Sequence, residues 1–304
     1  MCTSLSLPTP DGSRLFGRTL DLDTHFGETA IFTPRRFSFT FGNGSPLICH
    51  HALLGMATAI DGYPLYADAM NETGLCMAGL RFAQSAVYAP RPPADRTGLA
   101  PWELIPYLLG TCTTVGEVRA ALAGICVVDK PFSDRVGTAP LHWHVADADG
   151  EGLILEATAE GMRLYPDGMG VLTNEPPYPI QTAAAEAHSL SCTEESGLPG
   201  GYASPARFLR AATLRRWWLE RGRMNDTEAE SKDYTVAQFF AILGAVSPTA
   251  GSVMTPEGRC HRTLYTCCMD TTAGVYHYRT EGDVTARQVG FAACDPCGVD
   301  LLCF

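Results

Sequence analysis

The chain has no apolar run approaching the roughly 18 residues that a membrane-spanning helix needs. Its N-terminus lacks the basic start and apolar stretch of a secretory leader, so a cytoplasmic protein without a membrane anchor is expected. Cations are scarce: 22 Lys and Arg stand against 33 Asp and Glu, a net charge of −11. Nucleic acid and anionic membrane surfaces need clustered Lys and Arg, so neither is an expected partner. If the ligand is an anion, individual arginines must hold it against the overall field. Internal repeats are missing, as are GxSxG, HExxH and Walker-type signatures. "GNGSPLI" (42–48) keeps only a fragment of a dinucleotide motif and opens no helix.

Cysteine is plentiful, with 12 spread along the chain and a looser group from Cys260 to Cys303. Without a leader they read as reduced core residues. Cys294 and Cys297 form a CxxC, but no second CxxC completes a zinc set. His50-His51 and His142-Trp143-His144 have no acidic or Cys partner close in sequence, and read as core or surface histidines. No metal and no cofactor is expected.

The composition, 46% hydrophobic and 18% charged, is that of a globular protein able to bury a sizeable core. One domain over 1–304 is expected, with 294–304 a Cys-rich tail of unclear role. The polar stretch 222–235 reads as an exposed loop between helices, and the sequon Asn225-Asp226-Thr227 within it means nothing without secretion.

The opening reads as a β-hairpin. Apolar strands flank "PTPDGS" (8–13), and Asp11-Gly12 is a two-residue turn signal. A turn centred there places Cys2 opposite Asp21. Strict alternation sends Arg18 to the other face from Asp21, unless a bulge near Gly17 brings it back. Further strands are expected in "GLCMAGLRF" (74–82), "LHWHVADADG" (141–150), "GLILEAT" running to "EGMRLY" (152–165), "VLTN" (171–174), "HRTLYTCCMD" (261–270) and "GVYHYRT" (274–280). Helices are expected in "PWELIPYLLGTC" (101–112), "TVGEVRAALAGI" with Thr114 as N-cap, and "VAQFFAILGAV" (236–246). Another, "SPARFLRAATLRRWWLERG", is expected to start with Ser204 as N-cap and Pro205 first. Strands and helices in separate blocks give an α+β protein rather than alternating βαβ units.

The second residue raises the chemical question. Cysteine is small enough for Met1 to be trimmed, which would leave a thiol and a free α-amine on one residue. Such a residue carries a nucleophile and its own base; equally, it could be a buried apolar cysteine near a fraying end.

The blocks "MCTSLSL", "FGRTLDLD", "GMATAIDGYPLYADAMNETGLCMAGL", "APLHWHVAD", "GVLTNEPPY", "GLPGGYASPARF" and "QFFAILGAV" occur in that order. Together they closely resemble the choloylglycine hydrolase family of bile salt hydrolases and penicillin V acylases. The likeness runs over essentially the whole chain and is greatest to leaderless bile salt hydrolases of Gram-positive gut bacteria. It implies the N-terminal-nucleophile hydrolase fold, a four-layer αββα arrangement of two stacked antiparallel sheets between helices. It also implies hydrolysis of an amide between an acyl group and an amine.

Carried over residue by residue, the resemblance makes Cys2 the nucleophile, with Arg18 and Asp21 beside it. Asn174 and Arg207 complete the catalytic group. The backbone N–H of Arg81 joins Asn174 in the oxyanion hole, and Arg81, Phe82 and Ile60 contact substrate. The chemistry is coherent. A thiol with an ordinary pKa of about 8.5 is mostly protonated at neutral pH, and a free α-amine of about 7.7–8 can accept its proton. Arg207, in the first turn of its helix, opposes the macrodipole, which suggests a carboxylate or polar partner. On residues alone, Asn174 could be merely a turn residue before "EPP", Asp21 a solvated strand end and Arg18 a surface arginine.

Three departures from the family stand out. Arg81 replaces the Asn or Tyr usual there; our hypothesis is that its charge favours an anionic, glycine- or taurine-conjugated substrate. The segment between "TNEPPYPIQ" and "GLPGG" is shorter than in typical relatives, where it helps build the tetramer, so that tetramer is not expected, while a smaller homo-oligomer such as a dimer stays open. The Cys-rich tail is the third. Within the family the competing readings are bile salt hydrolase and penicillin V or acyl-homoserine-lactone acylase. From other classes come a catalytically silent binding protein and a Cys/His metal-binding protein.

Overall fold

The N-terminal hairpin sets the frame. In the computed structural model, which describes residues 1–9, 12–191, 197–222 and 232–304, β1 (Cys2–Pro8) pairs antiparallel with β2 (Arg14–Leu22). Thr9 N donates to Ser13 O at 2.9 Å, and Gly12 N donates to Thr9 O at 3.1 Å with Gly12 at φ +85°. The connection is thus residues 10–12 with a left-handed glycine at its end, not a two-residue turn. The extra residue moves the register by one. Cys2 faces Leu20, Ser4 faces Arg18, and Asp21 pairs with Met1, correcting the expected Cys2–Asp21 pair. Asp11, half of the expected turn signal, lies outside the described residues. No bulge interrupts this ladder at Gly17. Gly17 serves another purpose: a Cβ there would stand 2.1 Å from Cys267 O, so β2 can approach its other neighbour only without a side chain.

The remaining strands are β3 (Thr29–Thr33), β4 (Phe39–Thr40), β5 (Pro46–Leu47), β6 (Leu53–Ile60), β7 (Tyr63–Asn71), β8 (Cys76–Arg81), β9 (Thr97–Leu99) and β10 (Ile125–Val127). After them come β11 (Leu141–Ala146), β12 (Gly152–Thr158), β13 (Gly161–Pro166), β14 (Val171–Leu172), β15 (Arg262–Asp270), β16 (Val275–Thr280), β17 (Asp283–Gly290) and β18 (Leu302–Cys303). One large sheet runs β14-β1-β2-β15-β16-β17; the second runs β13-β12-β11-β8-β7-β6-β3-β18, and every pairing in both is antiparallel. Two small ribbons, β4–β5 and the parallel β9–β10, decorate them.

Helices cover the outer faces. α1 (Leu104–Thr111) packs on β7, β8 and β6 of the second sheet, after a 3-10 turn at Pro101–Glu103. α2 (Val115–Leu122) follows, and the Thr114 hydroxyl accepts from Glu117 N as expected of an N-cap. α4 (Ser204–Trp217) and α5 (Lys232–Gly244) pack on the first sheet. α3 (Tyr178–Ser191), which the sequence reading passed over, lies against α4. The result is the expected four-layer αββα stack. One apolar core lies between the sheets and under α4 and α5; another lies between the second sheet and α1.

Two readings of local detail change. Ser204 is the first residue of α4, not its cap, which falls on Ala203. Its hydroxyl is taken by Thr173 and by the N–H of Asn174. The Cys-rich tail ends as β18, whose Leu302 and Cys303 pair with Phe32 and Ile31 and cover the edge of the second sheet. Of the expected 222–235 loop, residues 223–231 lie outside the described residues, as do the Asn225 sequon and Cys192.

Candidate active site

The site begins where β1 is flanked on both sides. On the β14 side Ser4 faces Leu172, and continuing that register sets Asn174 opposite Cys2. Cys2 N donates to Asn174 Oδ1 at 2.9 Å. Arg207, in the first turn of α4, donates from Nη2 to the same Oδ1 at 2.7 Å, from Nη1 to Thr3 Oγ1 at 2.6 Å and to Cys2 O, and from Nε to Tyr202 O at 2.9 Å. It is 1% exposed. Burial pushes its pKa down while Asp21 and Cys2 pull it up. These partners meet the polar need its position against the helix dipole suggested.

With two donors on Oδ1, the Asn174 amide nitrogen must face the other way. Nδ2 donates to Arg81 O at 2.8 Å, leaving one N–H to spare. The segment carrying Asn174 is held throughout. Asn174 N donates to Ser204 Oγ at 2.9 Å, Gln181 Nε2 donates to Asn174 O at 2.8 Å, and Thr173 Oγ1 bonds Gln181 and Ser204.

Alternation sends the Cys2, Ser4 and Arg18 side chains to the inner face of their sheet. There β7 and β8 part company: their pairing stops at Asp68–Ala78, and β7 carries an extra residue at Ala67, where Met56 faces Asp68 but Ala57 faces Tyr66. Arg18 enters this split, donating from Nη1 to Gly79 O at 2.5 Å and to Ala67 O at 3.2 Å. It is fully buried, and its Nη2 has no hydrogen-bond partner among the described residues. Burial lowers the pKa of Arg18, but the negative groups around it, Cys2 first, more than reverse this.

The split opens as a cavity of about 370 Å³ that ends on Cys2 and Arg18. Leu20, Leu22, Leu65, Trp102, Phe132 and Leu141 are among its apolar walls, and Arg81 stands beside them. Trp102, Phe132 and Tyr63 pack edge-on or tilted against one another at 5.0 to 5.7 Å, stiffening one wall. A larger cleft of about 460 Å³ beside α3 and α4 includes none of the residues grouped around Cys2.

Arg81 ends β8. It lies opposite Leu141 while Phe82 N donates to Pro140 O at 2.8 Å, so Arg81–Leu141 is a non-hydrogen-bonded pair and Arg81 N–H points away from β11. Its exposed guanidinium forms no ion pair or hydrogen bond among the described residues. Phe82 turns the other way, fully buried and stacked on His142 at 4.3 Å, and is absent from the cavity walls. Ile60, at the end of β6, is absent too. Neither Phe82 nor Ile60, expected as substrate contacts, lines this cavity.

Asp21 sits on the opposite sheet face from the thiol, fully buried, where its carboxylate accepts from Thr263 Oγ1 at 2.7 Å and Thr19 Oγ1 at 3.2 Å. Its backbone, with Met1 attached, pairs with that residue: Met1 N donates to Asp21 O at 2.5 Å and Asp21 N to Met1 O at 2.9 Å.

Several groups around the site escaped sequence reading. Asp68, behind Arg18, is fully buried and accepts from Tyr265 Oη at 2.5 Å, Tyr276 Oη at 2.7 Å and Cys267 Sγ at 3.4 Å. Burial raises its pKa, against the pull of Arg18 and these donors. The histidines of β11 do have acidic partners, brought by neighbouring strands and loops. His142 Nδ1 lies 3.2 Å from Glu156, and His144 Nε2 lies 2.9 Å from Asp167, all four side chains fully buried. Alternation along β12 and the run after β13 could have hinted at such neighbours, but not at the pairing. Among the described residues no group of three or more His, Cys, Asp or Glu is arranged to hold a metal. Cys294 packs into the core, whereas Cys297 and Cys303 are exposed.

Comparison with known proteins adds a second line. Residues 2–295 match the model of the linear amide C–N hydrolases, choloylglycine hydrolase family. The bile salt hydrolase/transferase of Lactiplantibacillus plantarum is 35% identical over 92% of this chain and 89% of its own length. That of Clostridium perfringens is 33% identical over 92% and 89%. A variant crystal structure of the conjugated bile acid hydrolase from C. perfringens superposes with a TM-score of 0.91 at 30% identity, covering all of this chain and 96% of the other. Penicillin V acylase from Agrobacterium tumefaciens, at a TM-score of 0.81 and 20% identity over 99% and 90%, shares the fold.

Proposed function

The chain belongs to the choloylglycine hydrolase family of linear amide C–N hydrolases, and on that premise we propose that it hydrolyses glycine- or taurine-conjugated bile salts with Cys2 as nucleophile. The observation that carries the substrate class is the apolar cavity ending on Cys2, with the exposed Arg81 guanidinium beside it. Its walls suit a rigid, greasy acyl group, and the cation suits an anionic amine portion.

In this reading Met1 is removed, and the nitrogen that donates to Asn174 Oδ1 becomes the α-amine of Cys2. That amine takes the thiol proton, and the thiolate attacks the amide carbonyl to form a tetrahedral intermediate. Arg18 favours the thiolate by its charge. The spare N–H of Asn174 and the N–H of Arg81 receive the oxyanion; one such donor typically contributes about 3 to 4 kcal/mol. The ammonium returns its proton to the departing amine as the thioester forms. Water, deprotonated by the same amine, then releases the free bile acid. Arg207 holds Asn174 and the Cys2 carbonyl in place, and Asp21 orients the new α-ammonium from the sheet edge that Met1 vacates.

The test is a side-by-side assay of glycocholate, taurocholate and penicillin V, with intact mass of the N-terminus and a Cys2→Ser control. Cleavage of a conjugated bile salt by a chain lacking Met1, abolished in the control, is the expected result. Cleavage of penicillin V with no bile salt touched would replace the substrate class, and no hydrolysis by a chain beginning at Cys2 would end the reading.

A further inference from the structure

Asn174 and Arg81 come from segments far apart in sequence, one just after β14 and the other at the end of β8. An oxyanion site assembled from two such pieces works only if their separation is fixed before reaction, since a misplacement of about 1 Å can cost 10²-fold. Two ties cross the gap. Asn174 Nδ2 donates to Arg81 O, and Phe82 stacks on His142, whose Nε2 lies 2.8 Å from Thr173 O. The third tie is made by the residue after Asn174. The Glu175 carboxylate accepts from Gln84 N at 2.8 Å, Ser85 N at 3.1 Å and Ser85 Oγ at 2.9 Å.

Those three donors lie in the turn that leaves β8 immediately after Arg81 and Phe82. That turn is itself braced, Ala86 N donating to Phe82 O and Val87 N to Ala157 O, both at 2.9 Å. Two consecutive backbone N–H groups and a hydroxyl converging on one carboxylate make a set of charge-assisted bonds, stronger than neutral ones. Glu175 is only half-buried, so nothing about packing requires a carboxylate there. What it accomplishes is geometric.

We propose that Glu175 is a positioning residue: by clamping the 84–85 turn it fixes the distance between the Asn174 amide and the Arg81 N–H. This rests on the reading of those two groups as the oxyanion site. Glu175 acts through them and touches no reacting atom. Its loss therefore slows acylation while leaving the thiol itself as reactive as before. Glutamine in its place keeps the arrangement, because its amide oxygen can accept both N–H groups and its NH2 can donate to Ser85 Oγ.

The experiment uses the full chain and four variants: Glu175→Ala, Glu175→Gln, Asn174→Ala and the double alanine variant. Three quantities are read: kcat and KM on the conjugated bile salt that is cleaved, the rate of Cys2 alkylation by iodoacetamide, and the thermal midpoint. Alkylation is a displacement at carbon that forms no oxyanion, so it reports the nucleophile alone. Glu175→Ala is expected to lower kcat by about 10-fold or more, with KM within about 2-fold and alkylation unchanged. Glu175→Gln recovers most of kcat. Added to Asn174→Ala, the Glu175→Ala change costs less than about 2-fold, since its effect runs through the missing amide. A wild-type kcat in Glu175→Ala beside a slow Asn174→Ala overturns the proposal and leaves the oxyanion reading standing. Alkylation falling in step with kcat also overturns it, by showing a general disturbance of the site. A wild-type kcat in Asn174→Ala overturns the underlying reading instead, and the proposed role of Glu175 with it.

Discussion

Replacing Arg207 by lysine keeps the charge and removes the fork. Arg207 donates in three directions: Nε to Tyr202 O, Nη1 to Cys2 O and Thr3 Oγ1, and Nη2 to Asn174 Oδ1. A lysine ammonium is a single point on a flexible stem and cannot reach all three groups at once. At least two bonds from a charged donor are lost, each worth about 1.5 to 3 kcal/mol, so destabilisation of about 3 kcal/mol or more is expected. The kinetic cost is separate. Asn174 Oδ1 loses the donor that fixes which way the amide points, and its spare N–H loses its aim. A fall in kcat of about 10²-fold follows, with KM changing far less. Denaturant unfolding measures the first effect and steady-state kinetics the second, with iodoacetamide alkylation of Cys2 confirming that the variant is folded around an intact thiol. A folded Arg207→Lys enzyme with kcat within about 3-fold of wild type would refute the reasoning, because the bidentate geometry would then be immaterial.

Four further outcomes are expected. Arg81→Asn should lower the preference for anionic over neutral amides of the same acyl group, since the exposed guanidinium beside the cavity is lost; an unchanged ratio removes Arg81 from specificity. A chain that keeps Met1 should be inactive, because its nitrogen is tied up as an amide; intact mass of fully active enzyme showing that methionine would exclude the α-amine as base. Gly17→Ala should destabilise by about 3 kcal/mol or more, the added Cβ meeting Cys267 O at 2.1 Å, while Gly168→Ala, with nothing within 4 Å, should stay within about 0.5 kcal/mol. Finally, burial tends to raise the pKa of Asp167, but His144, Arg215 and the hydrogen bonds it accepts hold it below the usual value. The unfolded chain therefore binds more protons near that range. The stabilisation is present above about pH 4 and is lost as the pH falls through the lowered folded value. Asp167→Asn should cost about 3 kcal/mol at pH 7 in urea unfolding, shrinking below pH 4; a difference independent of pH contradicts this.

The elements that carry the candidate site were legible along the chain because their signals are local, whereas the grouping of Arg18, Asp21, Asn174 and Arg207 with Cys2 came from the family resemblance. A cysteine placed second, a hairpin to carry it, "LTNEP" as a turn and a proline-started helix bearing Arg207 can all be read within short windows. The same windows mislead by one residue wherever a loop length is undetermined. A connection of residues 10–12 rather than a two-residue turn moved Cys2 from Asp21 to Leu20, and Ser204 proved to be the first residue of its helix, its hydroxyl taken by Thr173 and Asn174 instead of capping.

By itself the sequence determined which groups are available: a thiol at the second residue, the polar side chains that the family resemblance ties to it, and enough apolar segments for two sheets and their covering helices. Tertiary structure alone decided where they meet. The parting of β7 from β8 that makes the cavity, the placement of Asp68 against Tyr265 and Tyr276, and the pairing of His142 with Glu156 and of His144 with Asp167 join residues from separate strands and loops. Alternation tells which face of a strand a residue occupies, but which strand lies opposite is settled by the closing of the whole double sheet.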